Sequence, residues 1–184
     1  MTKNVPKKLL FLFFFSFGFT TVTTAQYQSN WAIGLRVGEP LGLNIRKYYE
    51  GGGKAFDVNI GTYGFLYGKR KEYWKGQYKS AGLMIQGIKS WHHTVLNNEN
   101  FHVYYGFGGQ LNQRNYFPDS RIGQRDDNER KLSLGPAVVT GFEVRLPNND
   151  LGVFVDAGGY LELIPAPFFA NLQISGGIRL NLIR

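Results

Sequence analysis

Residues 172–182 read Leu-Gln-Ile-Ser-Gly-Gly-Ile-Arg-Leu-Asn-Leu, and every even position except Gly176 carries a large apolar side chain. The odd positions Asn171, Gln173, Ser175, Gly177, Arg179 and Asn181 are polar or small. A period of two places the two sets on opposite faces of a strand. Residues 169–183 therefore read as one strand with an apolar and a polar face. A soluble sandwich makes the same alternation, so the pattern fixes the element and not the class. Position adds the stronger constraint. Only Arg184 follows, and an amphipathic strand left unpaired is an adhesive edge. Pairing it with the first strand closes the sheet into a barrel and removes the edge.

The N-terminus sets the compartment. Lys3, Lys7 and Lys8 precede an apolar run of about 11 residues, 9–19, which Ser16 and Gly18 interrupt. Small and polar residues follow, with a cleavage point at Ala25-Gln26. This is the three-part layout of a secretory leader, and the run is short of the ~20 residues a spanning helix needs. We expect a cleaved leader over 1–25 and one barrel domain over 26–184. Removing three lysines lowers the formal charge from +8 to +5 (8 − 3). No later segment is apolar enough to span as a helix, so a mature chain in a membrane would cross it as strands. The absence of Cys excludes disulfides, thiolate catalysis and Cys-ligated metals.

The same alternation recurs along the chain. It predicts strands over 30–38, 41–48, 56–63, 80–92, 101–112, 132–146, 151–163 and 169–183. Ile88 and Lys89 break the fourth pattern and suggest a bulge or a register change there. Pro136 removes a ladder donor and predicts an irregularity in the sixth strand. Connections after the second, fourth and sixth strands are short or moderate. Those over 64–79 and 113–130 are long. Short turns on one rim and long loops on the other fit an outer-membrane barrel with both termini in the periplasm.

The tail resembles the C-terminal sorting signal of bacterial outer-membrane barrels, with Ser175, Gly177, Leu180 and Leu182 in the signal's polar, glycine and hydrophobic positions. That family ends on an aromatic residue where this sequence has Ile183-Arg184. Over 30–183 the chain resembles the small eight-stranded outer-membrane barrels such as OmpX and the membrane domain of OmpA. The resemblance rests on strand rhythm, glycine-rich strands and the terminal strand. It implies an all-β, eight-stranded, antiparallel up-and-down transmembrane β-barrel without a wide pore, handled by the barrel-assembly machinery and monomeric. The family holds adhesive, stress-related, structural and enzymatic members, so the fold does not fix the function.

In such a barrel the apolar set faces lipid and the polar set fills the lumen. The polar set contains Arg36, Arg46, Arg145 and Arg179, and against them Asp57, Glu143, Asp156 and Glu162. Arginine suits buried pairing because its planar fork bonds a carboxylate twice. A salt-bridged, packed lumen is the expectation. Lysine concentrates instead in the first long loop, where Lys69, Arg70, Lys71, Trp74, Lys75 and Lys79 interleave charge with aromatic rings. A nucleic-acid protein would use such a stretch for phosphate and base contacts. In a secreted chain the phosphates of lipopolysaccharide are the expected partner, and nucleic acid is not.

Of the three histidines, His93 and His102 face each other if the hairpin centres on Asn97-Asn98, but only Glu99 could complete a metal site. The sequence His92-His93-Thr94 offers Thr where a His-x-Ser lipid A deacylase needs Ser. No nucleophile, base and orienting partner can be assembled from the sequence, and no cofactor is expected. The expected function is a non-catalytic outer-membrane barrel that acts structurally or through its two long loops. One alternative is a soluble barrel binding a small apolar ligand, with Leu172, Ile174, Leu180 and Leu182 inside. Another is a lipid A-modifying enzyme with a polar pocket at the outer rim.

Overall fold

The computed structural model describes residues 30–64, 72–73, 76–80, 82–95, 98–118, 129–146 and 150–182. The expected leader lies outside them. Eight strands follow one another: β1 (Trp31–Gly38), β2 (Leu41–Tyr49), β3 (Lys54–Tyr63), β4 (Gly82–Val95), β5 (Asn98–Pro118), β6 (Glu129–Arg145), β7 (Leu151–Glu162) and β8 (Phe169–Asn181). Each pairs antiparallel with its sequence neighbours. β1 pairs with β8 from Ala32↔Asn181 to Gly38↔Ser175, which closes the ring. The fold is an eight-stranded up-and-down β-barrel.

Alternation becomes inside and outside. Leu172 is 70% exposed, Ile174 61% and Leu182 55%, while Arg46 is 2% and Arg179 1%. The apolar set therefore forms the outer wall and the charged set the interior, the reverse of a soluble globule. This overturns the soluble-barrel alternative, which required Leu172, Ile174, Leu180 and Leu182 inside.

Two expectations about irregularity have different outcomes. At Pro136 the β6–β7 ladder stops after Ala137↔Tyr160 and resumes one residue out of register at Leu134↔Ile164. At Ile88-Lys89 there is no bulge. β4 keeps one register with β5 from Met84↔Asn112 to Thr94↔His102, and its irregularity falls at Thr94/Val95. Ile88 is an inward apolar residue and Lys89 an outward charge. The pattern broke in chemistry while the pleat continued.

The long loops are shorter than expected. β5 continues to Pro118 and β6 begins at Glu129, paired as far as Tyr116↔Glu129. The strand Gly76–Ser80 adds to β5 beyond the barrel and forms a hairpin with Glu72–Tyr73. Backbone groups at this rim are thus satisfied by extending the ladders outward.

Candidate functional site in the barrel lumen

The lumen is built from inward positions of all eight strands, and its side chains form one connected polar network. The half nearer the termini centres on Glu143. Its Oε2 accepts from Arg46 Nη1 at 2.8 Å and from Arg179 Nη1. Its Oε1 accepts from the Tyr48 hydroxyl at 2.9 Å. Arg46 also donates through Nε to Asp57 Oδ1 at 2.7 Å, and Asn44 donates to the same oxygen at 2.9 Å. Arg179 donates through Nε to Asn44 Oδ1 at 2.6 Å and lies 4.0 Å over the Phe154 ring. Charges removed from water here are paired, hydrogen-bonded and stacked on aromatic faces, which offsets their desolvation.

Arg36 organises a second cluster. It donates to Asp156 Oδ1 at 2.8 Å and to Ser175 Oγ at 2.5 Å, while the Tyr104 hydroxyl donates to Asp156 Oδ2 at 2.9 Å. Asn59 links both clusters to an uncharged waist. Its amide donates to Gln86 Oε1 at 2.8 Å. Gln86 and Gln173 then both donate to Gln110 Oε1, at 2.8 and 2.7 Å. From Gln110 the chain passes through Asn112 to Ser133, which accepts from Arg114 Nε at 3.1 Å. Arg114 forms an ion pair with Glu162 at 2.9 Å and lies 5.2 Å over Tyr63.

The structure thus brings together Arg36, Arg46, Asp57, Glu143, Asp156 and Arg179, and sets Glu162 at the opposite mouth against Arg114. Arg145 lies half-buried at the far end of β6, opposite Gly152. The sequence reading missed Arg114, which sat inside the expected loop 113–130. Its signal was parity. Gln110, Asn112 and Arg114 alternate on one face, and carrying the period two residues further puts Arg114 inside. Glu39 falls between the first two predicted strands and joins the interior as well. It is fully buried, and its Oε1 accepts from the Gly64 amide at 2.5 Å. Of the loop residues expected at lipopolysaccharide, Lys69, Arg70, Lys71, Trp74 and Lys75 lie outside the described residues. Lys79 falls in the short strand Gly76–Ser80.

The histidine expectation is corrected. His102 pairs with Thr94, and His93 pairs with Val103. His102 is buried inside, whereas His93 is outside and stacks on Tyr105 with ring centres 5.5 Å apart. The two cannot share a metal ion across the wall. No metal-binding group of three His, Cys, Asp or Glu occurs among the described residues.

One constellation does resemble a catalytic set. Ser90 Oγ lies 3.2 Å from Asp57 Oδ2 and 3.2 Å from His92 Nε2. The order is wrong for nucleophile activation, since the base should sit between hydroxyl and carboxylate. Here the hydroxyl is the middle link. Ser90 is also fully buried, so no substrate carbonyl reaches it. The group is part of the lumen packing.

No family model matches this sequence, and no curated relative matches it. Solved structures do. The N-terminal β-barrel domain of Pseudomonas aeruginosa OprF superposes with a TM-score of 0.61 at 12% identity, over 84% of this chain and 98% of that one. Neisserial surface protein A matches with a TM-score of 0.48 at 16% identity, over 84% and 94%. The attachment invasion locus protein Ail of Yersinia pestis matches with 0.46 at 13%, over 82% and 94%. The fold is that of the small eight-stranded outer-membrane barrels.

Proposed function

We propose that this protein is an integral outer-membrane barrel with a closed polar lumen, acting structurally or through surface interactions at its outer rim, without catalysis. One observation carries the reading: the wall is predominantly apolar, with its lysines Lys47 and Lys89 set toward one rim, while the interior holds a connected network of paired polar side chains. An apolar band this broad around the exterior is stable against lipid. An interior committed to internal hydrogen bonds supports a plug over a channel, as an eight-stranded lumen is just filled by side chains. The OprF-like fold supports the same compartment. In this reading the leader is removed at Ala25-Gln26. The termini lie in the periplasm, and the segments after β3 and β5 face outward. Lys69, Arg70, Lys71, Trp74, Lys75 and Lys79 then meet lipopolysaccharide phosphates by charge attraction. Assembly by the barrel-assembly machinery as a monomer completes the proposal.

Cell fractionation with a boiling-dependent gel-migration assay tests it. Recovery in the outer membrane, a migration shift on boiling, and a mature N-terminus at Gln26 are the expected results. A soluble periplasmic product without a shift would overturn the membrane reading.

A further inference from the structure

The outer wall is not uniform. On β2, Lys47 faces outward and pairs with Phe56 of β3, and on β4 Lys89 pairs with the same Phe56. The two lysines stand about 10 Å apart at Cα, twice the inter-strand spacing. Both ammonium groups lie against indole rings. Lys47 Nζ is 5.0 Å from the Trp31 ring centre, and Lys89 Nζ is 5.5 Å from that of Trp91. Trp31 opens β1, and Trp91 lies two residues beyond Lys89 toward the same rim. Trp91 is itself stacked on Phe107 at 5.5 Å and on Tyr105 at 5.7 Å, so the ring under Lys89 is braced.

A lysine on a lipid-facing wall is costly at mid-depth and tolerated near the headgroups, which its flexible stem can reach. Both lysines lean onto tryptophans, the residues that settle at the membrane interface. Negative charge is scarce on this part of the wall. Glu50, near the same rim, is engaged by Lys54 at 2.5 Å. Among the described residues, Lys89 has no hydrogen-bond or ion-pair partner. Across the barrel, the outward wall at Val138, Phe142, Val153 and Val155 carries no charge.

We infer that Lys47 and Lys89, with Trp31, Phe56 and Trp91, form a binding site for the phosphate of an anionic glycerophospholipid in the leaflet on the side of the chain termini. The inference rests on the membrane reading above. Charge complementarity selects the ligand: a zwitterionic headgroup brings its own ammonium and cancels the attraction, while an anionic one does not. The flanking Phe56 and Phe107 lie where acyl chains run, which favours a lipid over a free phosphate ion.

The test uses the full mature chain with Trp74→Phe, so that Trp31 and Trp91 alone fluoresce, refolded into phosphatidylcholine vesicles. Brominated phosphatidylglycerol and brominated phosphatidylcholine are compared as quenchers at equal mole fraction. The expected result is preferential quenching by phosphatidylglycerol, with local enrichment of about fivefold for each lysine engaged. The preference should fall with salt, vanish in Lys47→Gln/Lys89→Gln, and persist in Lys47→Arg/Lys89→Arg. Equal quenching by both lipids in an inserted barrel would overturn this inference alone, as would a preference retained in the glutamine variant. Failure to obtain a vesicle-bound species with boiling-dependent migration would overturn the membrane reading and this inference with it.

Discussion

Glu143→Gln is the most informative single change in the lumen. It keeps the volume and removes the charge that two guanidinium groups share. Arg46 retains Asp57 at 2.7 Å, but Arg179 retains only neutral partners, the Asn44 carbonyl oxygen at 2.6 Å and the Phe154 ring face. Stripping a buried ion of its counter-charge costs about 3–5 kcal/mol. The Tyr48 hydroxyl keeps an acceptor in the glutamine carbonyl, so it adds little. We expect a loss of about 3–4 kcal/mol, nearly all of it from the stranded Arg179. Arg179→Met alone leaves Glu143 bound to Arg46 and Tyr48, and should cost about 1–3 kcal/mol for the lost charged hydrogen bonds. Independent effects would sum to about 4–7 kcal/mol in the double variant. Because the double variant has no stranded cation, it should be no less stable than Glu143→Gln, which corresponds to a coupling of at least about 1–3 kcal/mol, the whole of the Arg179→Met loss. Urea unfolding of the vesicle-embedded barrel, followed by tryptophan fluorescence and gel migration, measures all four proteins. A loss below about 1 kcal/mol in Glu143→Gln, or additivity within about 0.5 kcal/mol, would refute the argument.

Further expectations concern the wall, the seam and the waist. Val155→Arg, near the middle of β7, should destabilise the vesicle-embedded barrel by about 2–4 kcal/mol, and Leu180→Arg, nearer the rim, by less; equal losses in the same unfolding assay would contradict the depth assignment. Gly177→Ala should sharply lower the refolded fraction seen on gels. Its new methyl would sit 2.0 Å from the Leu35 carbonyl oxygen and within 2.8 Å of the Phe154 ring, at the β1–β8 junction. Planar-bilayer recordings should show no stable conductance for the natural chain. Replacing Gln86, Gln110 and Gln173 together by Ala should introduce one, because these three side chains bridge the waist.

The barrel is legible because a membrane wall imposes a strict period of two, and that period recurs from residue 30 to residue 182. Facing was legible for the same reason. Parity also puts the aromatic residues Phe154, Tyr104 and Tyr160 on the inward face, and they are buried there. The fourth strand is harder to read because Ile88 and Lys89 are each of the wrong chemistry for their face, although the register runs through them unbroken. Arg114 was hidden by its polar, aromatic surroundings, which read as loop although the alternation continues. The Ser90–His92 contact and the glutamine triangle were beyond reach, since they depend on strand tilt and on which inward positions share a level.

The junction between β1 and β8 joins the two ends of the folded chain, and the interior bonds reach across it. Arg36 on β1 bonds Asp156 and Ser175, which are 120 and 139 residues away in sequence, and Arg179 on β8 reaches back 135 residues to Asn44. None of these contacts can form in a half-built sheet. Loop-closure entropy must therefore be overcome before the latch engages. The expected consequence is a late, all-or-none closing step in assembly. Partly zipped barrels gain little from their charges, and the finished one opens only by releasing several of these bonds together.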